Sequence, residues 1–236
     1  MAKWVTIFES DGVTAASDSY DQGAVVDGAT STPLRRWWRN DSDGAEVLAS
    51  TRFRRVALGT NDGLSMLQIA ADVPLTPPTA PTLAPAAGTE LEVGTYKYAI
   101  TFVTANGETS AGTEETVVTT GGNEQVSLSA IPTGPAGTTQ RKIYRTAVGG
   151  TQKKLVATLP NNTATTYLDA IPDASLGANV PTLNTSGSAD TWGTANVNIG
   201  SLAVGAYAAI WMRYNVPAST TEVGNPRWAY VYFEEA

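Results

Sequence analysis

The sequence predicts an all-β chain of two β-sandwich domains, the first built from both chain ends and the second inserted between them. Three observations carry this expectation. All six tryptophans lie outside the middle of the chain: Trp4, Trp37 and Trp38 precede residue 77, and Trp192, Trp211 and Trp228 follow residue 184. Trp is a large core and interface residue, so its segregation puts the two ends around one apolar core. Turn signals recur at Asp11-Gly12, Asp27-Gly28, Asp43-Gly44, Asp62-Gly63 and Asn106-Gly107, and these dipeptides favour positive φ or tight reversals. No stretch of ten or more residues carries a capped 3.6-residue apolar period, beyond a short turn of helix within 41–50. The expected domains are 1–76 with 186–236, and 77–185.

Taken in order, residues 34–39 read as a strand with Leu34, Arg36 and Trp38 on one face and Arg35, Trp37 and Arg39 on the other. A polar turn at 40–44 leads to a second strand over 46–58. Leu67, Ile69, Ala71 and Val73 alternate in a third, which together make an antiparallel meander. Pro74, Pro77, Pro78, Pro81 and Pro85 form an extended linker, and 177–187 forms the return. Between them Tyr96, Tyr98, Ile100 and Phe102 make one strand face. Val117, Val126, Leu128, Ile143, Tyr144, Leu155, Val156, Leu159, Tyr167 and Leu168 anchor further strands at the spacing of a small Greek-key sandwich. Near the end, Ala208, Ile210, Met212, Tyr214 and Val216 oppose Tyr207, Trp211 and Arg213, and Trp228, Tyr230 and Tyr232 alternate with Ala229, Val231 and Phe233. These last two strands are apolar on both faces, which suits a central position or an edge buried against a partner.

Composition narrows the chemistry. The 236 residues contain no cysteine and no histidine. That removes disulfides, thiolate catalysis, Cys-based zinc sites, the usual general base near neutral pH and every Ser-His triad. Carboxylate-only chemistry, as in glycosidases, survives, but no pair of Asp or Glu stands out for it. No enzyme activity, catalytic residue, cofactor or metal is therefore expected. A net charge of −7 argues against general nucleic-acid binding. The start lacks the apolar region of a signal peptide and no run is long enough to span a bilayer, so a soluble, cytoplasmically made chain without membrane insertion is expected.

Residues 94–110 (GTYKYAITFVTANGETS), 126–135 (VSLSAIPTGP), 141–146 (RKIYRT) and 166–169 (TYLD) resemble the immunoglobulin-like or fibronectin type III-like modules of tailed-bacteriophage virion proteins. The resemblance covers about 100 residues, in the size range of such sandwiches, and brings no catalytic residues. The flanks 36–41 (RWWRND), 199–205 (IGSLAVG), 210–217 (IWMRYNVP) and 222–229 (EVGNPRWA) resemble strings in small virion structural proteins. The resemblance implies an accessory exterior component of a virion, on tail, baseplate or as capsid decoration. Its aromatic β domain would anchor it and its immunoglobulin-like module would project. Its partners would be other virion proteins and copies of itself.

Candidate contact residues follow from the Arg and aromatic clusters: Arg36, Trp38, Arg52, Arg54, Trp211, Arg213, Trp228, Tyr230 and Tyr232. Arg pairs with carboxylates and stacks on Trp, so this set forms either a partner contact or a solvated sheet face with Arg stems covering Trp. Trp211, Trp228, Tyr230 and Tyr232 also suit a platform for a host surface glycan, set against a core or subunit-interface role. Asp41, Asp43 and Glu46 read as a hard-cation loop or as an ordinary polar turn.

Overall fold

The computed structural model describes residues 5–8, 30–40, 48–57, 67–215 and 229–235. Among them there is no α-helix, only one 3-10 turn at Asp173–Ser175, and every strand ladder is antiparallel. In chain order the strands are β1 (Val5–Phe8), β2 (Leu34–Asn40), β3 (Leu48–Ala57), β4 (Leu67–Val73), β5 (Thr82–Ala86), β6 (Thr95–Thr104), β7 (Gly107–Glu108) and β8 (Glu115–Val118). They continue as β9 (Gln125–Ser129), β10 (Gln140–Thr146), β11 (Lys153–Leu159), β12 (Tyr167–Asp169), β13 (Ser188–Ala189), β14 (Val197–Leu202), β15 (Tyr207–Tyr214) and β16 (Ala229–Glu235). The chain divides into two compact units, Met1–Val73 with Ser188–Ala236, and Pro74–Gly187.

The unit of the two chain ends has one sheet in the order β1-β2-β15-β4-β13 and another in the order β14-β3-β16. Trp38, Ile69 and Ile210 of the first meet Phe53 of the second, with Val197, Ile199, Ala208 and Met212 packed against them. The Trp38 and Phe53 rings stand 4.6 Å apart, edge to face, a favoured aromatic geometry. The β15 strand lies between β2 and β4, as its two apolar faces suit.

The expected meander of the first three long strands is not formed. β15 from the far end separates β2 from β4, while β3 pairs with β14 and β16 in the other sheet. Alternation fixes which face of a strand is buried but not which strand lies beside it. Of the alternating residues of β4, Val73 is 50% exposed at the strand end, while Ala70, on the other face, is buried.

The other unit has β11-β10-β6-β7 in one sheet, with β8 also paired to β6, and β12-β9-β5 in the other. Tyr96, Tyr98, Ile100, Val117, Ile143 and Leu159 of the first sheet share a core with Val126 and Leu128 of the second, joined by Leu91 and Ile131. Leu168, expected as an anchor, is 52% exposed, and Leu155 and Val156 are half-buried. The inward positions of β10 alternate Arg141, Ile143 and Arg145, all fully buried.

The two arginines finish opposite ends of that core. Arg141 donates to the carbonyls of Pro132 (2.9 Å), Asn161 (3.3 Å), Ile131 (3.4 Å) and Ala164. Arg145 donates to Asp169 at 2.8 Å and also to Asp173 and the carbonyls of Ile171 and Thr146, while Tyr98 donates its hydroxyl to Asp169 at 2.7 Å. Burial works to lower the Arg145 pKa, but the Asp173 hydrogen bond and the Asp169 charge outweigh it and hold it above its ordinary value. Burial, reinforced by Asp169, drives the Tyr98 hydroxyl far above the phenol range. A buried charge needs this degree of pairing to be tolerated.

Segment 177–187 closes the sheet edges. The Gly177 and Val180 amides donate to the Leu155 and Lys153 carbonyls along β11, and Thr185 donates to Glu108 on β7. Covered edges give a foreign strand nothing to pair with.

Candidate interaction surface

The surface of interest is the face of the β2-β15-β4 sheet that points away from Phe53. Opposed residues of an antiparallel ladder share a face, and the register sets Arg39 against Tyr207, Trp37 against Ala209, Arg35 against Trp211, and Arg213 against Gln68. Small residues alternate with the rings: Ala209 and Ala70 are buried beside Trp37 and Trp211.

A ladder of guanidinium and aromatic groups results. Arg35 lies over the Trp37 ring at 4.4 Å and the Trp211 ring at 5.5 Å. It donates to Asp72 Oδ2 at 2.9 Å, while Trp211 Nε1 donates to Asp72 Oδ1 at 2.7 Å. Arg39 donates to the Tyr207 hydroxyl at 3.3 Å, and the Trp37 and Tyr207 rings meet edge to face. Arg213 lies 4.2 Å over the Trp192 ring and donates Nε to Gln68 at 2.9 Å. A guanidinium held over a ring gains cation–π attraction and can still pair with a carboxylate, as Arg35 does with Asp72.

The ladder is graded in exposure. Arg35, Trp37 and the Asp72 carboxylate are buried, whereas Arg39, Tyr207, Trp211, Arg213 and Trp192 are half-buried. Burial pushes the Asp72 carboxyl above its ordinary value despite Arg35 and the Trp211 N–H, and the same burial lowers Arg35. The middle of the ladder is thus an internal ion pair, and its ends carry the accessible groups.

The expected contact set divides. Trp211 and Arg213 fall on this face. Arg36 and Trp38 do not: both are buried on the opposite face, toward the second sheet. Trp38 is used in the core, and Arg36 is buried beside it on the same face of β2. Arg52 is half-buried on β3 opposite Glu234. Arg54 and Tyr232 are register partners in the β3–β16 ladder, which also holds Tyr230; their side chains lie outside the described residues, as do Trp228, Asp41, Asp43 and Glu46. Arg35 and Arg39 belong to the arginine cluster of the sequence, whereas Trp37, Asp72, Trp192 and Tyr207 are not among its expected contact residues. The signal was present in the alternation of 35, 37 and 39 against 207, 211 and 213, but register across distant segments was needed to read it.

Among the described residues no three His, Cys, Asp or Glu side chains gather to hold a metal ion. No helix among them is long and apolar enough to cross a membrane. No family model, curated protein or solved structure matches the chain.

Proposed function

We propose that this chain is a non-enzymatic exterior component of a tailed-phage virion, attached through the unit of its two ends and presenting residues 74–187 as a second module. The observation that carries this reading is the crossing point. The chain leaves the first unit at Val73 and returns at Ser188, and these two residues are direct partners in the β4–β13 ladder. A module carried on two adjacent strand ends is the usual form of a tolerated insertion.

The strand neighbours support an immunoglobulin-like reading of that module. β5-β9-β12 stand as the A, B and E strands of such a sandwich, and β8, β6, β10 and β11 as G, F, C and C′. The chain, however, passes through the F and G positions before reaching B. Attachment is assigned to the outer ladder face, where Arg213 on Trp192 and the half-buried Trp211 offer charge and aromatic area together, the residue types that dominate contact energy. Glycan recognition, the alternative, needs open ring faces, and Trp211 and Trp192 each hold a guanidinium within 5.5 and 4.2 Å.

The test uses particles grown without the chain and re-decorated with purified protein, with retention measured after gradient sedimentation. Replacing 74–187 by an Asn-Gly turn between Val73 and Ser188, a hairpin connection that fits paired strands, is expected to leave retention within about twofold of the full chain. Arg213→Glu with Trp192→Ala is expected to reduce it about tenfold or more. Loss of retention by the truncated chain, or full retention by the double variant, overturns the assignment. Retention unchanged by the double variant, with binding to a glycan array, would favour the glycan reading.

A further inference from the structure

The sequence contains a single Asn-Gly dipeptide, Asn106-Gly107. It lies at the reversal between β6 and β7, where Thr104 pairs with Gly107. Asn106 is exposed, yet its Nδ2 donates to the Gly187 carbonyl at 2.9 Å. Beside it Thr104 Oγ1 donates to the Ser186 carbonyl at 3.0 Å. Ser186 Oγ accepts from the Leu75 amide at 3.0 Å and donates to Asn184 Oδ1 at 2.7 Å, and Asn184 Nδ2 donates to the Leu75 carbonyl at 2.8 Å. The outgoing and returning chains are thereby clasped to each other and to the β6–β7 reversal.

We propose that Asn106 is a site of spontaneous deamidation and that its conversion opens this clasp. The backbone nitrogen of Gly107 attacks the side-chain carbonyl carbon of Asn106. A carbon–nitrogen bond forms, the bond to the side-chain nitrogen breaks, and ammonia leaves. Water then opens the cyclic imide at either carbonyl, giving aspartate or its β-linked isomer. No oxidant, reductant or cofactor takes part.

Two features set the site. A side chain at residue 107 would put its Cβ 2.3 Å from the Thr185 carbonyl oxygen, so packing requires glycine there. That same absence of a side chain leaves the attacking nitrogen unhindered. The product carboxylate has no donor for Gly187 and sets acceptor against acceptor, so a hydrogen bond is replaced by repulsion.

The full chain is aged at mildly alkaline pH and mapped by peptide mass spectrometry, with amide exchange read at Leu75 and Thr185. Asn106 is expected to gain the mass of an amide-to-acid conversion well ahead of the exposed Asn123, whose following residue is Glu124. Exchange at Leu75 is expected to rise about fivefold in the aged protein and in Asn106→Asp, the loss of one ordinary hydrogen bond. The non-cyclising control Asn106→Gln is expected to show no such gain on ageing. Should Asn106→Asp fold poorly, the aged wild-type chain carries the exchange measurement alone. Conversion no faster than at Asn123, or unchanged exchange at Leu75 after conversion, overturns the proposal.

Discussion

The two units of this chain place arginine in opposite ways. In the unit of residues 74–187 the arginines point inward: Arg141 and Arg145 end the core, and Arg145 is neutralised by Asp169 and Asp173. In the unit of the chain ends, the inner face belongs to Trp38, Ile69 and Ile210, and most of the described guanidiniums of that sheet lie on the outer face against indole and phenol rings. One unit uses arginine as a satisfied internal cross-link, and the other sets Arg35, Arg39 and Arg213 against rings along one sheet face, buried at Arg35 and half-buried at Arg39 and Arg213. The difference teaches that arginine count indicates neither burial nor contact. The carboxylate does: it accompanies the fully buried guanidiniums Arg145 and Arg35, whereas rings lie against buried and half-buried ones alike.

The sharpest way to break this contrast is to remove the inner cross-link. Arg145→Leu leaves the Asp169 carboxylate, fully buried, with only the Tyr98 hydroxyl and the Ile171 amide. Breaking a buried pair from one side costs about 3 to 5 kcal/mol, and the orphaned carbonyls place this variant near the upper end. Calorimetry is expected to show loss of the transition belonging to 74–187. Arg145→Leu with Asp169→Leu is expected to recover a large part of it, because the unpaired charge is then gone. Equal loss in single and double variants would show that Arg145 acts by packing rather than by charge.

Next in size is the counterpart in the other unit. Trp38→Leu removes the ring that meets Phe53 and leaves a partly refilled cavity, at a cost of about 3 kcal/mol. Circular dichroism in the aromatic region should follow this loss, while the transition of 74–187 stays in place. A shift of both transitions together would show that the two units do not unfold independently.

These two residues also mark what the sequence made legible. The alternation of Tyr96, Tyr98 and Ile100 is a local pattern, and the structure has all three in one core, while of the tryptophans it describes Trp38 alone joins a core cluster. For Trp38 the sequence supports a core and a contact role alike, because alternation alone does not say which face meets the second sheet. Arg145 was legible only as part of RKIYRT, since the Asp169 and Asp173 that make it an internal residue lie 24 and 28 positions away. The missed outer ladder has the same cause: Asp72 and Trp211 are 139 residues apart in the chain and 2.7 Å apart in space. Patterns of period two are written locally; partnerships across strands are not.

A smaller effect tests whether the outer ladder has an ionic centre. Burial raises the Asp72 carboxyl above its ordinary 3.8. A folded-state pKa above the unfolded one means that Asp72 contributes stability fully below 3.8 and loses it as pH rises through the raised value. Asp72→Asn keeps an oxygen for the Trp211 N–H but cannot ionise. Denaturant titrations across this range are expected to show the variant gaining on the wild type as pH rises. A difference that does not change with pH would remove Asp72 ionisation from the account.

The smallest effect lies on the solvent side of the β6–β10–β11 sheet in the unit of residues 74–187, where Glu114 bridges Lys97 at 3.1 Å and Lys153 at 2.5 Å. The Lys153 hydrogen bond, aided by Lys97 against a modest burial penalty, holds Glu114 below its ordinary 4.5. The sign is opposite to that of Asp72: the contribution is present above 4.5 and is lost as pH falls through the lowered value. Glu114 and Lys97 are more than a third exposed, so water and salt screen the bridge, and Glu114→Gln is expected to cost at most about 0.5 kcal/mol. Raising ionic strength should shrink even that difference, while the Arg145 effect, shielded from solvent, should hardly move. An Arg145 cost that fell with salt in parallel with Glu114 would mean that its pocket admits water and that the inner and outer placements of charge in this module are not distinct.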